Sequence, residues 1–255
     1  MDAEDYLKRI FVAGTLLAAW FVYTDFNHNV LHPYNWTDTL LKLPWTEWSL
    51  YSNAYSLVHS VPALEWVLKK WYTVGFTSTL VGTAAWFLVT RRPKDLDAEL
   101  LGLATMHGTA MTIYAIAFVY PPHIVYGFNP IESPLMNFAN HRFVFPSLHT
   151  ALAVFLAMYF VWKEKHPLAR GILVLNGFVT PFVTIVLVQH WVYDAISGIL
   201  LAVFSFWVAK RYEDRFSEAL DRWNPNRKAL AKATLLLCVI TLGYSFMKVF
   251  GITRF

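Results

Sequence analysis

The chain has 255 residues, of which 56% are hydrophobic, 17% aromatic and only 15% charged. An ordinary soluble domain carries roughly 25% charged residues, so this composition argues against a soluble protein and favours one embedded in a bilayer. The formal net charge of +4 is modest and gives no reason to expect a nucleic-acid partner. A single cysteine, Cys238, excludes a disulfide within the chain.

Seven stretches of the sequence are apolar enough to be predicted as transmembrane helices. A helix that crosses the hydrocarbon core needs about 20 mostly apolar residues, and its backbone groups must be hydrogen-bonded within the helix. In chain order the predicted spans are about 8–24, 72–90, 100–120, 147–163, 169–188, 191–209 and 229–249. We therefore predict an all-α polytopic membrane bundle, with residues 1–255 forming a single integral-membrane domain.

Two connecting segments, residues 25–71 and 121–146, are much longer than the other links. The first is rich in Trp, Tyr, Asn and Pro, a composition typical of chain that lies at the level of the lipid headgroups. Its second half, about 53–71, alternates apolar and polar residues, which predicts a short interfacial helix. These loops contain His28, His32, His59 and His123, most of which are interpreted as interfacial residues.

The distribution of Lys and Arg predicts the orientation of the protein. With seven spans, one side holds the amino terminus, the 91–94 link with Arg91, Arg92 and Lys94, the 163–170 link and the 210–232 segment. This side collects 15 of the 21 Lys and Arg residues. By the positive-inside rule this side is cytoplasmic. The two long loops are therefore predicted to face the periplasm, the exterior or an organelle lumen.

The fourth predicted span begins with "PSLHTALAVFLAMYF". Pro146 and Ser147 are typical of a helix start, where unpaired N–H groups and the positive end of the helix dipole attract anions. His149 lies in the same first turn and would be next to a phosphate bound there. The alternative is a capped helix with an interfacial histidine, and this stretch alone does not decide between the two.

The sixth predicted span begins with "QHWVYDAISGILLA". His190 and Asp194 are four residues apart and would share one face of a helix. A carboxylate at that distance accepts the imidazole N–H, which fixes the tautomer and leaves the other nitrogen available as a nucleophile. Gly198 follows on nearly the same face and predicts a close helix contact, for which Ala153 and Ala157 are the expected partners.

The predicted topology brings both motifs to one membrane face, because two spans separate them. His149, His190 and Asp194 can then converge, and an ionisable pair at a membrane boundary is itself an indication of function. Haem ligation by the two histidines is the alternative from another functional class, but it assigns no role to the Pro-Ser element. A catalytically silent lipid-binding or transport protein is the third interpretation.

"FPSLHT", followed about 40 residues later by "HWVYDAISG", resembles the second and third signatures of the type-2 phosphatidic acid phosphatase superfamily. The resemblance covers roughly residues 72–209, which would form the six-helix core of that family, with 229–249 as an additional seventh span. We expect this seventh span to support a homo-oligomer. His107, inside the third span, is interpreted as a satisfied buried histidine; the alternative is that it helps to line the site.

This resemblance implies a lipid phosphatase or phosphotransferase whose substrate is a membrane lipid phosphate. It implies that His190 is the nucleophile that takes the phosphoryl group, that Asp194 orients it, and that His149 protonates the departing oxygen. The Leu in "PSLH" and the nearby Asn140 are most similar to the branch with fungal inositol phosphorylceramide synthase and its bacterial relatives. Ser147 and Asn140 are the expected substrate-binding residues.

Two cations usual in this family are replaced here: Ala85 stands where the first signature has Lys, and Thr184 where the third has Arg. "TRRPKD" does supply Arg92 before a proline. The predicted orientation puts Arg92 on the cytoplasmic side, however, so we interpret this match as coincidence.

Arg142, seven residues before His149 and on the predicted outer side, is the expected replacement cation. Lys69 and Lys70 are weaker candidates, and an interfacial snorkelling side chain is the alternative interpretation of Arg142. Carboxylates do not cluster beside the histidines, so no metal and no cofactor is expected.

Overall fold

The computed structural model describes residues 3–129, 131 and 142–249, and this part of the chain is almost entirely helical. The elements, in chain order, are α1 (Ala3–Asn29), β1 (Tyr34–Asn35), α2 (Thr37–Leu40), α3 (Trp48–His59), α4 (Pro62–Lys70), a π-helical turn (Trp71–Gly75), α5 (Phe76–Val89), α6 (Pro93–Ile116), β2 (Ala117–Phe118), α7 (Pro122–Tyr126), α8 (Leu148–Lys163), α9 (Pro167–Val186), α10 (Val192–Arg222) and α11 (Arg227–Val249).

The seven stretches predicted as spans coincide with helices, and the predicted all-α membrane bundle is confirmed. Within the described residues, four helices are long and apolar enough to cross a membrane by themselves: Glu4–Thr24, Pro167–Val186, Val192–Arg222 and Arg227–Met247. A fifth span results if Pro62–Gly75 and Ser78–Val89, which meet at a bend of 46°, cross together. Helix α8 is apolar but only 16 residues long, and α6 carries Asp97 and Glu99 buried inside the bundle.

The first long connection contains more helix than the sequence predicts. Residues 25–71, predicted as a loop with one interfacial helix, contain the end of α1 and the three helices α2, α3 and α4. The chain just after α6 contacts both outer segments, because β1 of the first segment pairs in parallel with β2 and Val119 forms a parallel bridge with Phe143 of the second. These contacts hold the chain before α8 against the chain that follows α6.

Helix α8 lies at the centre of the bundle and contacts α6, α9 and α10. Its Leu152, Phe155 and Leu156 are fully buried. The Phe155 ring occupies the space above Gly102 of α6, where a Cβ atom would lie only 2.1 Å from the ring. Small residues on neighbouring helices therefore set how closely α8 packs.

The predicted pairing of Gly198 with Ala153 and Ala157 is wrong. These two alanines contact Gly177 of α9, where an added Cβ would lie 2.5 Å from the Ala157 Cβ and 2.9 Å from the Ala153 carbonyl oxygen. Gly198 faces Ser147 and Thr150 instead. The spacing of small residues fixes which ones share a helix face, but it does not fix which neighbouring helix that face meets.

Buried ion pairs join the helices at one end of the bundle. The Arg9 guanidinium of α1 donates to both carboxylate oxygens of Asp97, at 2.7 and 2.6 Å, and Ser217 donates to the same carboxylate at 2.7 Å. Ser217 belongs to the part of α10 that continues to Arg222, beyond the predicted end of the sixth span near residue 209. We call the end that holds Arg9 and Lys163 the basic end.

The seventh predicted span, α11, packs against α1 of the same chain. The rings of Phe21 and Tyr244 lie 4.8 Å apart, and Leu237 contacts Gly14 so closely that an added Cβ would be 3.0 Å away. Part of the α11 surface is thus covered within the chain, and the homo-oligomer stays a prediction.

Candidate active site

His190 lies in the turn before α10, immediately ahead of the N-cap residue Trp191. Its Nδ1 is 3.2 Å from the carbonyl oxygen of Val144 and 3.5 Å from Oδ2 of Asp194. Both neighbours are hydrogen-bond acceptors, so we assign the ring proton of neutral His190 to Nδ1. This tautomer leaves the lone pair on Nε2, the nitrogen that can attack an electrophile.

The sequence predicts that His190 and Asp194 meet because they share a helix face. In the structure His190 precedes the helix, so their contact arises differently. Asp194 is in the first turn of α10, and its Oδ2 accepts a hydrogen bond of 2.7 Å from the Trp191 backbone N–H. A carboxylate is favoured there by the helix dipole. Its other oxygen is buried and accepts no hydrogen bond from the described residues, which is uncommon for a buried carboxylate oxygen.

The segment before α8 covers the His190–Asp194 pair. The Ser147 N–H donates to the Asp194 carbonyl oxygen at 3.0 Å, and Tyr114 donates from its hydroxyl to the carbonyl oxygen of Pro146 at 2.6 Å. Ser147 is the N-cap of α8 and accepts a hydrogen bond from the Thr150 N–H at 3.3 Å. Ser147 thus caps its helix, as its position in the motif predicts, and also ties α8 to α10.

Gly198 allows the starts of α8 and α10 to meet. A Cβ atom at this position would lie 2.6 Å from the Ser147 carbonyl oxygen and 3.0 Å from the Thr150 Cβ. A side chain is therefore excluded where the two helices cross. The close approach brings His149 of α8 beside His190.

The two histidines face each other, with ring centroids 5.9 Å apart and ring planes at 57°. His149 is partly exposed, whereas His190 is buried. The Tyr72 ring also stacks on the His149 ring, with centroids 4.3 Å apart and an angle of 13° between the ring planes. Nothing in the sequence separates this tyrosine from the other 12, yet it lies in the π-helical turn, a feature that is frequent at functional sites.

The turn that carries His190 is fixed by two residues. The Thr184 carbonyl oxygen accepts hydrogen bonds from the backbone N–H groups of Gln189 and His190, both at 3.1 Å. The Val188 carbonyl oxygen accepts from the backbone N–H of His123 at 3.0 Å and lies 3.2 Å from its Nδ1. His123, one of the outer-loop histidines, is only 5% exposed and is buried within the protein.

Val188 itself has a φ of +53°, in the left-handed region. A β-branched residue is a rare outlier there, and such a conformation costs on the order of 1–3 kcal/mol. It persists because the contacts of the neighbouring residues determine the path of the turn. Backbone strain of this kind concentrates at functional sites.

The predicted substrate-binding residues and the candidate cations differ in their surroundings in the structure. The Arg142 guanidinium lies over the Phe118 ring, 5.2 Å from its centroid, in the segment that leads to Val144. Lys69 is paired with Glu65 at 2.5 Å. Asn140 lies outside the described residues. The role of Arg142 therefore stays a prediction.

Arg92 lies at the basic end, about 20 Å from His149 along α8 at 1.5 Å per residue. Its guanidinium donates to the Glu164 carboxylate at 2.5 Å and to the Lys163 carbonyl oxygen at 2.6 Å. Burial raises the pKa of Glu164, but hydrogen bonds from the His166 N–H, Trp86 and Arg92 outweigh this effect and lower it to about 2. Arg92 therefore has a structural role at this end. Its position is consistent with the interpretation that its match to the first family signature is a coincidence.

The described residues contain no group of three or more His, Cys, Asp or Glu side chains that could hold a metal ion. What they bring together at the other end of the bundle is a pair of histidines, a buried carboxylate and a helix start. Such a set can supply a nucleophile, an orienting base and an acid.

A family model described as the PAP2 superfamily matches residues 37–208 of this chain. The chain belongs to the PAP2 superfamily. The match ends where the sequence places the end of the core, but it begins earlier than residue 72 and includes α2, α3 and α4. These helices, which supply Tyr51 beneath Trp191, are thus part of the PAP2 region.

An uncharacterized protein of the archaeon Methanocaldococcus jannaschii is 30% identical to this chain over 199 residues. The similarity covers 75% of this chain and 79% of the relative. No solved structure matches the chain. Membership in the PAP2 superfamily points to phosphatase-type activity on lipid phosphates, within a protein whose apolar helices place it in a membrane.

Proposed function

We propose that this PAP2 protein is a membrane lipid-phosphate phosphatase or phosphotransferase that works through a phosphohistidine at His190. The observation that carries the proposal is the orientation of the His190 ring, whose Nδ1 faces Asp194 and the Val144 carbonyl oxygen. That arrangement presents Nε2 as a nucleophile next to His149. The family match supports the same chemistry.

In the first step, Nε2 of neutral His190 attacks the phosphorus of a lipid phosphate in line with its ester oxygen. The new P–N bond forms as the P–O bond breaks, and the Asp194 carboxylate stabilises the positive charge on the ring. Protonated His149 gives its proton to the departing oxygen, which leaves as an alcohol. The positive end of the α8 dipole offsets charge on the phosphoryl oxygens.

In the second step, water or an alcohol attacks the phosphohistidine. Neutral His149 takes the proton of the attacking group, and the P–N bond breaks to restore neutral His190. Water releases inorganic phosphate, whereas an alcohol yields a new phosphate ester. The acceptor therefore decides between hydrolysis and transfer.

A head-group phosphotransferase of the inositol phosphate type is the second candidate. It is favoured by Thr184, which stands in place of the family's usual arginine and is fully buried. The Thr184 hydroxyl donates to the Pro181 carbonyl oxygen at 2.8 Å, so this position serves packing and has no phosphate-binding cation. The similarity of "PSLH" and Asn140 to the inositol phosphorylceramide synthase branch points the same way.

Arg142 is the cation we propose for the phosphate in place of the missing family residues. It belongs to the segment whose Val144 carbonyl contacts His190, and its guanidinium is partly exposed. By the positive-inside rule the site faces away from the cytoplasm, because the ion-paired Lys- and Arg-rich end is at the other side of the bundle. An enzyme of this topology acts on lipid phosphates in the outer or lumenal leaflet.

The test is an incubation of purified protein with a panel of labelled lipid phosphates, with and without acceptor alcohols. Released phosphate identifies a phosphatase, and a new labelled lipid identifies a transferase. Either activity should be lost in His190→Ala. The wild type should form an acid-labile phosphoenzyme during turnover. His107→Gln is the matched control, because this histidine bonds the Leu103 carbonyl oxygen and should be dispensable.

Two outcomes would overturn the proposal. Full activity in His190→Ala would exclude the phosphohistidine. A protein that binds the lipid phosphates but neither releases nor transfers phosphate with any of them would be a lipid-binding or transport protein on the same scaffold.

A further inference from the structure

A groove of about 410 Å³ lies between α8, α9 and α10, in the half of the bundle away from His149. This size is within the range of small-molecule sites, roughly 300–1,000 Å³. Its lining is apolar except for one cation and consists of Ala157, Met158, Val161, Trp162, Val174, Phe206 and Lys210. Since α8 ends at Lys163, the groove leads to the basic end.

The cations at the end of the groove are arranged around one indole ring. The Lys163 ammonium lies 4.0 Å from the Trp162 ring centroid, and that of Lys210 lies 5.7 Å from it. Lys163 is neutralised by Glu213 at 2.5 Å. Lys210 is exposed and forms no ion pair with a carboxylate in the described part of the chain.

A third cation lies on α9, the helix that contributes Val174 to the groove. Arg170 of α9 is exposed and one helical turn before Val174, so the two residues share a face of that helix. The groove therefore combines walls suited to hydrocarbon with an excess of positive charge at one end. Lys side chains near the ends of membrane helices extend toward the headgroups in this way.

We propose that this groove binds an anionic phospholipid, with one acyl chain between α8, α9 and α10 and the headgroup phosphate at Lys210 and Arg170. Charge complementarity favours an anionic over a zwitterionic lipid, because basic pockets between helices attract negatively charged headgroups. The groove is separate from the active site, at the opposite end of α8. The bound lipid is thus not the substrate, and the proposal does not depend on the chemistry of His190.

Trp162 provides the readout. The full-length protein is reconstituted in phosphatidylcholine vesicles that contain phosphatidylglycerol, with bromine on the acyl chains of one lipid at a time. The difference in fluorescence between wild type and Trp162→Phe isolates the indole in the groove from the other ten tryptophans. Brominated phosphatidylglycerol is expected to quench this difference signal more strongly than brominated phosphatidylcholine at equal mole fraction.

Lys210→Gln should lower the preference for phosphatidylglycerol by roughly fivefold, the effect of one cation near an anionic surface. Lys228→Gln is the matched control, because this exposed lysine lies in the first turn of α11 at the same end of the bundle. Val174→Phe, which places a larger ring in the groove, should reduce quenching by both lipids. Equal quenching by the two lipids, or the same loss in Lys228→Gln as in Lys210→Gln, would overturn the proposal.

Discussion

Replacement of Gly198 by alanine tests whether the crossing of α8 and α10 builds the active site. In Gly198→Ala the new Cβ would lie 2.6 Å from the Ser147 carbonyl oxygen, and ordinary contact begins at 3.4 Å. The clashing atom belongs to the backbone and cannot rotate away. The start of α8 must therefore move by about 0.8 Å relative to α10.

The displacement affects the residues that carry the proposed chemistry. Ser147 bonds the Asp194 backbone, and the same segment contacts His190 through Val144. A misplacement of about 1 Å can cost on the order of 100-fold in rate, so we expect kcat/KM to fall roughly 10- to 100-fold. The added methyl group should also lower the free energy of unfolding by about 1–3 kcal/mol through overpacking. The better helix propensity of alanine offsets up to about 1 kcal/mol of this loss.

The assay compares phosphate release or head-group transfer by both proteins on one lipid substrate, together with the Tm of each in the same detergent. Gly171→Ala of α9 is the matched control, because a Cβ at that position meets nothing within 4 Å. It should keep wild-type activity and be slightly more stable. Wild-type kcat/KM in Gly198→Ala would refute the proposed link between this crossing and catalysis.

Three further predictions concern the groups around the histidines and the basic end. Tyr72→Leu should lower kcat about tenfold and shift the pH–rate profile, because the tyrosine ring stacks on His149. Tyr72→Phe should keep the wild-type kcat and pH–rate profile. Equal behaviour of the two variants would contradict this role of the ring. Asp194→Asn should lower kcat by about 10³- to 10⁴-fold, since an amide can donate to Nδ1 and favour the wrong tautomer of His190; activity within tenfold of wild type would exclude that role. The pKa of Glu164 is lowered from 4.5 to about 2, so the ionised side chain stabilises the fold fully above pH 4.5 and this contribution is lost as the pH falls toward 2. Glu164→Gln should lower the free energy of unfolding by at most about 3 kcal/mol near neutral pH. Unfolding measured at pH 7 and pH 3 should show that the stability difference between the variant and the wild type is smaller at pH 3. A difference that is the same at both pH values would contradict the lowered pKa of Glu164.

The match to the PAP2 superfamily could be anticipated because its signals are local. Hydropathy over about 20 residues predicts each helix without reference to the others, and the two short motifs place a histidine and a capping residue at helix starts. The chain crosses the membrane twice between the two motifs, which predicts that both motifs lie at the same membrane face. None of these inferences requires knowledge of which helices touch.

Other parts of the site depend on contacts between distant segments. The sequence predicts that His190 and Asp194 meet across a helix face, whereas the Asp194 carboxylate reaches His190 around the start of α10. The second partner of the imidazole, the carbonyl oxygen of Val144, carries no side-chain signal at all. Likewise, the role of His123 follows from the strained turn at Val188, which no pattern in the sequence marks.

By itself, the sequence determined an all-α membrane protein and marked His149, His190 and Asp194 as the candidates for the proposed phosphoryl transfer, since helix formation and residue chemistry are properties of short segments. The tertiary structure decided that Gly198 meets Ser147, that Tyr72 stacks on His149, and that the outer helices belong to the same unit as the site. These contacts join residues far apart in the chain. They depend on how helices cross and rotate against one another, which periodicity leaves undetermined.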